Sequence, residues 1–484
     1  MSARRKKPGQ KSSARTKRVR RVRLRSFIAN EFEELDLGDD RLNERGRKIL
    51  SDLYCSPGES YLAASETWTA AKGAYRFVEN KAVTHENLLG PHTAKLVERC
   101  RDEEEILCIG DTSEICIKKR PGTAGLGPLN YEGRRGFFVH PLWVVTRERL
   151  PLGIADVRFI TRSDEELGRH HGDYRDVPLD ERESVKWSWS LEATWGLSRA
   201  LGPEGPLLTA IFDREGDVFN VLATAVAEQA SYRLIVRAVQ KRRRADKEGA
   251  PRVWDDVAAQ PVDGRTTINV PAGQNRKART TTLSLRWAKV TLKPPRVRAP
   301  DAPEAEPVEI YAIHVIEDDP PKKTDRIEWK LFTTIPVASV DDARECIARY
   351  ACRWTIEWLF RTIKSGCRAE LRQFRSAEKL KKTIVQDMLV AFTMIYLSMI
   401  RRARPDQPCT RLFRDSEWRS LWTYLYEDAL PERPPDMGEM IDLLASIGGH
   451  PGRKGDSPAG PKVLKRALSK LPVIERMWLI ANDS

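Results

Sequence analysis

The sequence predicts an α/β protein in which a sheet-containing domain is flanked by helical regions on both sides. Three observations carry this. Short β-branched runs bounded by Gly, Pro and Asp begin near Glu105, helices rich in Ala and Trp alternate with them, and the chain before Cys100 and after about residue 370 has helical texture. With 484 residues the chain exceeds the size at which one core stops growing, so several domains are expected.

The elements follow in order. Residues 1–25 contain twelve Lys and Arg and no acid; taking these twelve from the net charge of +14 leaves +2 for the rest. Residues 1–30 are read as a basic disordered tail, for which a solvated arm and non-specific phosphate contact are equal alternatives. The net charge and a pI near 9.4 point to a polyanionic partner, nucleic acid first. Leu37-Gly38-Asp39-Asp40-Arg41 opens a helical domain over 31–100.

A domain over 101–370 follows, with strands expected at ILCIGD (106–111), EICIKK (114–119), FFVHPLWVV (137–145), LGIADVRFI (152–160) and LLTAIFD (207–213). Helices are expected at about 185–201 and 217–230. Further strands follow over 232–335, among them YRLIVRAV, TTLSLRWAKV, VEIYAIHVI and EWKLFTTI, with the Pro-rich stretch 294–307 between them, and a β-rich insertion is read at about 240–335. Ser339 is a candidate N-cap for one helix running through Lys364 to a stop at Gly366. Residues 371–484 read as a second helical domain, broken near Pro405, Pro431 to Pro435 and the Gly-rich 448–460 segment.

The eight cysteines form no CxxC pair and no zinc-spaced cluster, as expected for reduced thiols in the cytoplasm. Ile384 to Ile400 is the most apolar run, but Gln386 and Asp387 interrupt it, so it is expected to be a core helix and no membrane partner is expected. No long apolar run follows the basic N-terminus, so no secretory signal is expected.

Asp111 and Asp213 each end a buried apolar run. A turn-forming role for Asp111 and a helix N-cap for Asp213 account for either alone; the pair is more informative. In the helix over 339–364, Tyr350, Arg353, Glu357, Arg361 and Lys364 fall within a sector of about 80°. A solvated charged face is one reading, and a phosphodiester-binding stripe beside a metal ligand is the other. Three carboxylates suit two Mg²⁺ ions, with Mn²⁺ able to substitute. No GxxxxGK[ST], GxSxG or HExxH motif is present.

The spacing Tyr350-(2)-Arg353-(3)-Glu357-(6)-Lys364 resembles the Y-R-E-K signature of the insertion-sequence-four family of bacterial DDE transposases. Asp111-Thr112-Ser113 and Asp213-Arg214-Glu215-Gly216-Asp217 are similar to that family's two catalytic aspartate segments. The similarity extends over nearly the whole chain after the tail, through Leu37-Gly38-Asp39, Gly73-Ala74-Tyr75-Arg76-Phe77, Glu183-Ser184 with Lys186-Trp187, and Gly448-Gly449 with Gly452-Arg453-Lys454.

The resemblance implies a ribonuclease-H-like catalytic domain with Asp111, Asp213 and Glu357 as catalytic metal ligands. The implied activity is cut-and-paste transposition at transposon-end double-stranded DNA: a nick, a hairpin, hairpin opening, and joining to target DNA. Tyr350, Arg353 and Lys364 would contact phosphates, Trp329 would stack on a flipped base, and Arg76 and Arg237 would touch DNA; a core Trp329 and a plain surface Arg76 are the alternatives. The resemblance also implies a DNA-binding role for 31–100, a bacterial, nucleoid-associated setting, and a homodimer with candidate interface helices at Met440 to Ala445 and Lys462 to Ile480. The tail over 1–25 has no counterpart in the family pattern. Competing readings are a transposase-derived DNA-binding protein or inhibitor without catalysis, and a nuclease that only hydrolyses.

Overall fold

The computed structural model describes residues 26–118, 122–166, 182–270, 278–295, 305–322, 324, 326–426, 429–453 and 458–482. The basic stretch 1–25 and most of the Pro-rich stretch, 296–304, lie outside them, as does Lys454. Residues 26–30, expected to belong to the tail, instead open helix α1 (Ser26–Glu31). The cause is apolar and ionic anchoring: Phe27 stacks on Tyr396 with ring centroids 5.6 Å apart, and the buried Glu31 is held by His92 and by Arg99 at 2.8 Å.

Helices α2 (Asp40–Cys55), α3 (Tyr61–Ala64), α4 (Trp68–Glu79) and α5 (His85–Cys100) follow. Asp39, Ser60, Thr67 and Thr84 cap α2 to α5, each accepting a hydrogen bond from a backbone N–H in the first turn. These helices do not stand apart from the rest of the protein. Lys379 pairs with Glu79 at 2.8 Å, Lys382 donates to the carbonyls of Val78 and Asn80, and the Tyr61 hydroxyl donates to the buried Gln386.

The sheet contains eleven strands among the described residues. They are β1 (Glu105–Gly110), β2 (Ser113–Cys116), β3 (Gly127–Pro128), β4 (Arg135–Thr146), β5 (Pro151–Ile160), β6 (Leu207–Phe212), β7 (Arg233–Arg237), β8 (Gly264–Val270), β9 (Arg279–Leu292), β10 (Val308–Glu317) and β11 (Glu328–Thr333). β1 and β2 share one edge of the long β4, with Asp111 and Thr112 between them, and β5 takes the other edge. β1, β6 and β7 run parallel to one another, whereas the β5-β4-β1 side and the β7-β11-β10-β9-β8 side are antiparallel. The β-rich insertion therefore extends the central sheet. β8 lies within the stretch expected to be β-rich but is not one of the named runs; its GRTTINV is polar and borders solvent at the sheet edge.

Side-chain alternation divides the core. Ile106, Cys108, Ala210, Phe212, Leu234 and Val236 face α6 (Val185–Leu201), α7 (Phe219–Ala227) and α8 (Val253–Ala258). Leu107, Ile109, Ile211, Ile235 and Leu331 face the other way, toward α9 (Val340–Ala351), α10 (Ile356–Arg361) and α11 (Ala377–Ala403). Helices α12 (Asp415–Tyr426), α13 (Met437–Ile447) and α14 (Pro461–Asn482) close that second layer.

Helix α11 is long and apolar enough to cross a membrane by composition, yet 89% of its most apolar window is buried within the fold. It is the shared core of the N-terminal and C-terminal helices. Its one buried acid, Asp387, is neutralised by a two-pronged contact from Arg372 at 3.0 and 2.5 Å.

The helix expected over 339–364 is correctly begun but not continuous. Ser339 caps α9 and forms a reciprocal capping box with Asp342. After Ala351 the chain tightens into a 3₁₀ turn (Cys352–Thr355), relaxes into α10, and widens into a π turn (Thr362–Gly366). A constant 100° per residue therefore does not hold across this segment.

Candidate active site

The register of three parallel strands places the acids. Ile109 of β1 pairs with Ile211 of β6, and Asp111 and Asp213 each stand two residues beyond that pair. With period-two alternation both carboxylates fall on the same face as Leu107, Ile109 and Ile211, the face covered by α9 and α10. The same parity carries Arg237, two residues beyond Ile235, and Trp329, two before Leu331. Gly110, just before Asp111, lets α6 approach the sheet: a Cβ there would lie 2.8 Å from Ser190 Oγ.

From the helical side, Tyr350, Arg353 and Glu357 converge on the two aspartates. Arg353 Nη1 donates to Asp111 Oδ2 at 2.9 Å, while Nη2 lies 3.7 Å from Asp213 Oδ2 and 3.8 Å from Glu357 Oε1. One guanidinium thus touches all three acids. Its Nε is buried and has no hydrogen-bond partner. The Tyr350 hydroxyl donates to Asp213 Oδ1 at 3.1 Å, and Arg237 Nη1 reaches the same oxygen at 4.0 Å. Trp329 lies edge-on to the Tyr350 ring, centroids 5.4 Å apart.

Burial sets the electrostatics. It pushes the Asp111 carboxyl up to about 6, against the opposing pull of Arg353; Asp213 and Glu215 nearby add to the rise. Burial and the neighbouring Asp213 raise the Tyr350 phenol to about 12, so it stays protonated and serves as a donor. His140 is pushed down to about 3 by burial and by Lys186, and is neutral. Its ring contacts Thr112 Oγ1 at 2.9 Å and Ser190 Oγ at 2.8 Å, which fixes the segment carrying Asp111. Sequence reasoning missed His140; its place within FFVHPLWVV gives no signal, because a lone histidine in a strand is an ordinary core residue.

The acidic run after β6 divides its tasks. Glu215 reaches Lys186 at 2.7 Å, tying α6 to the loop after Asp213. Asp217 accepts from the backbone N–H groups of Val239 and Gln240 at 2.8 and 2.7 Å and from Arg242, so it shapes the chain leaving β7.

The remaining expected residues disperse. The π turn carries Lys364 toward Glu370 and Glu114, and burial lowers its ammonium below the usual range. Arg361 lines a separate cleft beside Arg147. The five-residue stripe expected on one helix is thus reduced to Tyr350, Arg353 and Glu357. Arg76 is exposed in the last turn of α4 and forms no part of this cluster.

The donor set is consistent with a hard divalent cation in chemistry, being three carboxylates with side chains 25% (Asp111), 30% (Asp213) and 43% (Glu357) exposed. Among the described residues no three acidic, His or Cys side chains form a preformed cage. The three acids share the Arg353 guanidinium, whose charge offsets part of their mutual repulsion. Mg²⁺ retains several waters and needs few protein carboxylates, so an open set of three fits it.

Residues 24–83 match the family model for transposase DNA-binding, a segment that includes α1 to α4. Among solved structures, the chain is similar to the piggyBac transposase synaptic complex with hairpin DNA, determined by cryo-electron microscopy. The alignment covers 94% of this chain and 78% of that one at 11% identity, with a TM-score of 0.35.

Proposed function

We propose that this chain is a DNA transposase of the DDE type, in which Asp111, Asp213 and Glu357 are the catalytic carboxylates. The observation that carries the reading is their meeting on one guanidinium, Arg353, from two parallel strands and a helix far apart in sequence. The transposase DNA-binding match over 24–83 supports DNA as the partner. The strand order β5-β4-β1-β6-β7, antiparallel then parallel, supports a ribonuclease-H-like core.

Two Mg²⁺ ions on the three carboxylates would supply the Lewis acidity that activates an attacking oxygen and steadies the leaving one, with Mn²⁺ able to substitute. The chain's own residues do the rest. Tyr350 holds Asp213 through its retained proton. Arg353, with an unpartnered Nε, turns part of its donor set from the acids to the non-bridging oxygens of a phosphodiester. Arg237, within 4.0 Å of Asp213, offers a second cation to the same backbone. Trp329 presents its ring beside Tyr350 at the mouth of the site, where an extruded base could stack.

In this reading the enzyme nicks the transposon end, forms and reopens a hairpin, and joins the freed 3′ end to target DNA, as in the insertion-sequence-four family. A homodimer on paired ends is part of the proposal. Val473, Met477 and Ile480, all more than half exposed along α14, offer a helical apolar stripe for it. The experiment is incubation with duplexes carrying the inverted repeats that flank the gene, with Mg²⁺ or Mn²⁺, resolving nicks, hairpins and joined strands. Equal yields from Asp213→Asn or Glu357→Gln and the wild type would remove the assigned site.

A further inference from the structure

A basic cleft lies beside the helix that carries Glu357. It has a volume of about 850 Å³ and is lined by Arg147, Arg149, Arg361 and Arg402, with Glu148 the one acid, over an apolar floor that includes Trp358. Arg147 is already paired with Glu345 and Glu105. Arg149, Arg361 and Arg402 are exposed and make no ion pair with a carboxylate among the described residues, so the cleft holds uncompensated positive charge.

The position of Arg149 is unusual. It sits in the tight turn joining β4 to β5, where its N–H donates to the Thr146 carbonyl at 3.0 Å and its φ is +68°. Glycine meets that left-handed conformation without penalty, whereas arginine does not. A long cationic side chain stands on strained backbone at the rim of a basic cleft.

This cleft is separate from the carboxylate site. β4 pairs Thr146 with Ile106, five residues before Asp111, so the turn is about 16 Å along the sheet from the acids at ~3.3 Å per residue. Yet α10 joins the two places: Glu357 belongs to the carboxylate cluster, while Trp358, the next residue, and Arg361, one turn further on, line the cleft.

We propose that this cleft is a second phosphate-binding site that takes the backbone of a DNA strand beyond the segment being cut. The inference rests on the DNA-transposase reading. Its volume far exceeds one phosphate ion, the arginines are spread around the rim, and Trp358 offers an aromatic surface between them, a combination that suits consecutive nucleotides.

The test measures metal-free binding of the full chain to a fluorescent random-sequence duplex across a salt series. The triple variant R149A/R361A/R402A is compared with K293A/K322A/R433A, which removes three exposed cations elsewhere. The expected result is a salt slope lowered by roughly 2 to 3 in the cleft variant, at about 0.9 per phosphate contact, and an affinity near 0.1 M salt lower on the order of 100-fold. Arg361→Lys with Arg402→Lys should retain most of the binding, and the thermal midpoint of each variant identifies any loss due to unfolding.

Losses equal to the control's would overturn the proposal. So would saturable binding of inorganic phosphate or a mononucleotide, lost in the cleft variant while duplex binding is kept, because the occupant would then be a small anion. Cleavage lost in Glu357→Gln with an unchanged salt slope in the cleft variant would sink only this inference; a lowered slope with no metal-dependent cleavage would sink only the proposed function.

Discussion

Two arginines, Arg372 and Arg353, each meet a buried or half-buried aspartate, and they do opposite things. Arg372 engages all three of its nitrogens: Nε and Nη2 on Asp387 at 3.0 and 2.5 Å, and Nη1 on the Glu59 carbonyl at 2.6 Å. Both partners are almost fully buried among the helices around α11. Arg353 makes one full hydrogen bond, two longer charge contacts and leaves Nε unpartnered, among acids open to solvent. A saturated pair in a dry setting is a fixed structural joint. An arginine outnumbered by acids, with Nη2 held only by contacts of 3.7 and 3.8 Å, is poised to exchange partners.

That contrast can be broken in four ways. The largest expected effect is on chemistry: Asp111→Asn, Asp213→Asn or Glu357→Gln should each lower strand cleavage by at least about 10³-fold. The thermal midpoint should stay within a few degrees of the wild type, and a collapse of fold in these variants would make the site a structural joint as well. Arg372→Ala should do the reverse. Stranding Asp387 without its cation should cost about 3–5 kcal/mol of stability, measured by denaturant unfolding; a loss below 1 kcal/mol would show that the pair is dispensable.

A smaller effect is expected from Arg353→Lys. Charge is kept but the planar fork is lost, so cleavage should fall about 10- to 100-fold with little change in stability; a wild-type rate would mean that Arg353 contacts nothing in the reaction.

The smallest effect is on pH dependence. The folded-state value of Asp111 is raised from the ordinary 3.8 to about 6, so the folded protein holds a proton that the unfolded chain has released between those values. Its contribution to metal-free stability is complete below 3.8 and is lost as pH rises through about 6. Asp111→Asn should flatten that slope. Cleavage at limiting Mg²⁺ should weaken as pH falls, and added Mg²⁺ should move that loss to lower pH, because proton and metal compete for the carboxylate.

Much of the site was legible because strands impose a simple rule. Asp111 and Asp213 end apolar runs at matching positions, and alternation with parallel pairing puts them side by side. The helix was less legible. Nothing in the side-chain pattern of residues 339–364 announces that the backbone tightens at Cys352 and widens at Thr362; the first change breaks the stripe between Tyr350 and Glu357, and the second carries Lys364 away from Glu357. β8 escaped notice because an edge strand of Thr, Arg and Asn lacks the apolar run that marks its neighbours. Arg353 was expected to contact phosphate; its contact with all three acids depends on elements 242 residues apart in the chain.

The way the first helices grip α11 has a metrical consequence. Lys379 and Lys382 clasp the end of α4, Tyr61 is tied to Gln386, and Phe27 rests on Tyr396, so the segment matching a DNA-binding family is bolted to the same rod that backs the carboxylate face. A duplex end held by those helices would meet the carboxylates at a set number of base pairs and a set helical phase. The protein would then act as a ruler, with the cut site chosen by distance as much as by the bases at the cut, and inserting half a helical turn of DNA between grip and cut would turn the wrong strand toward the acids.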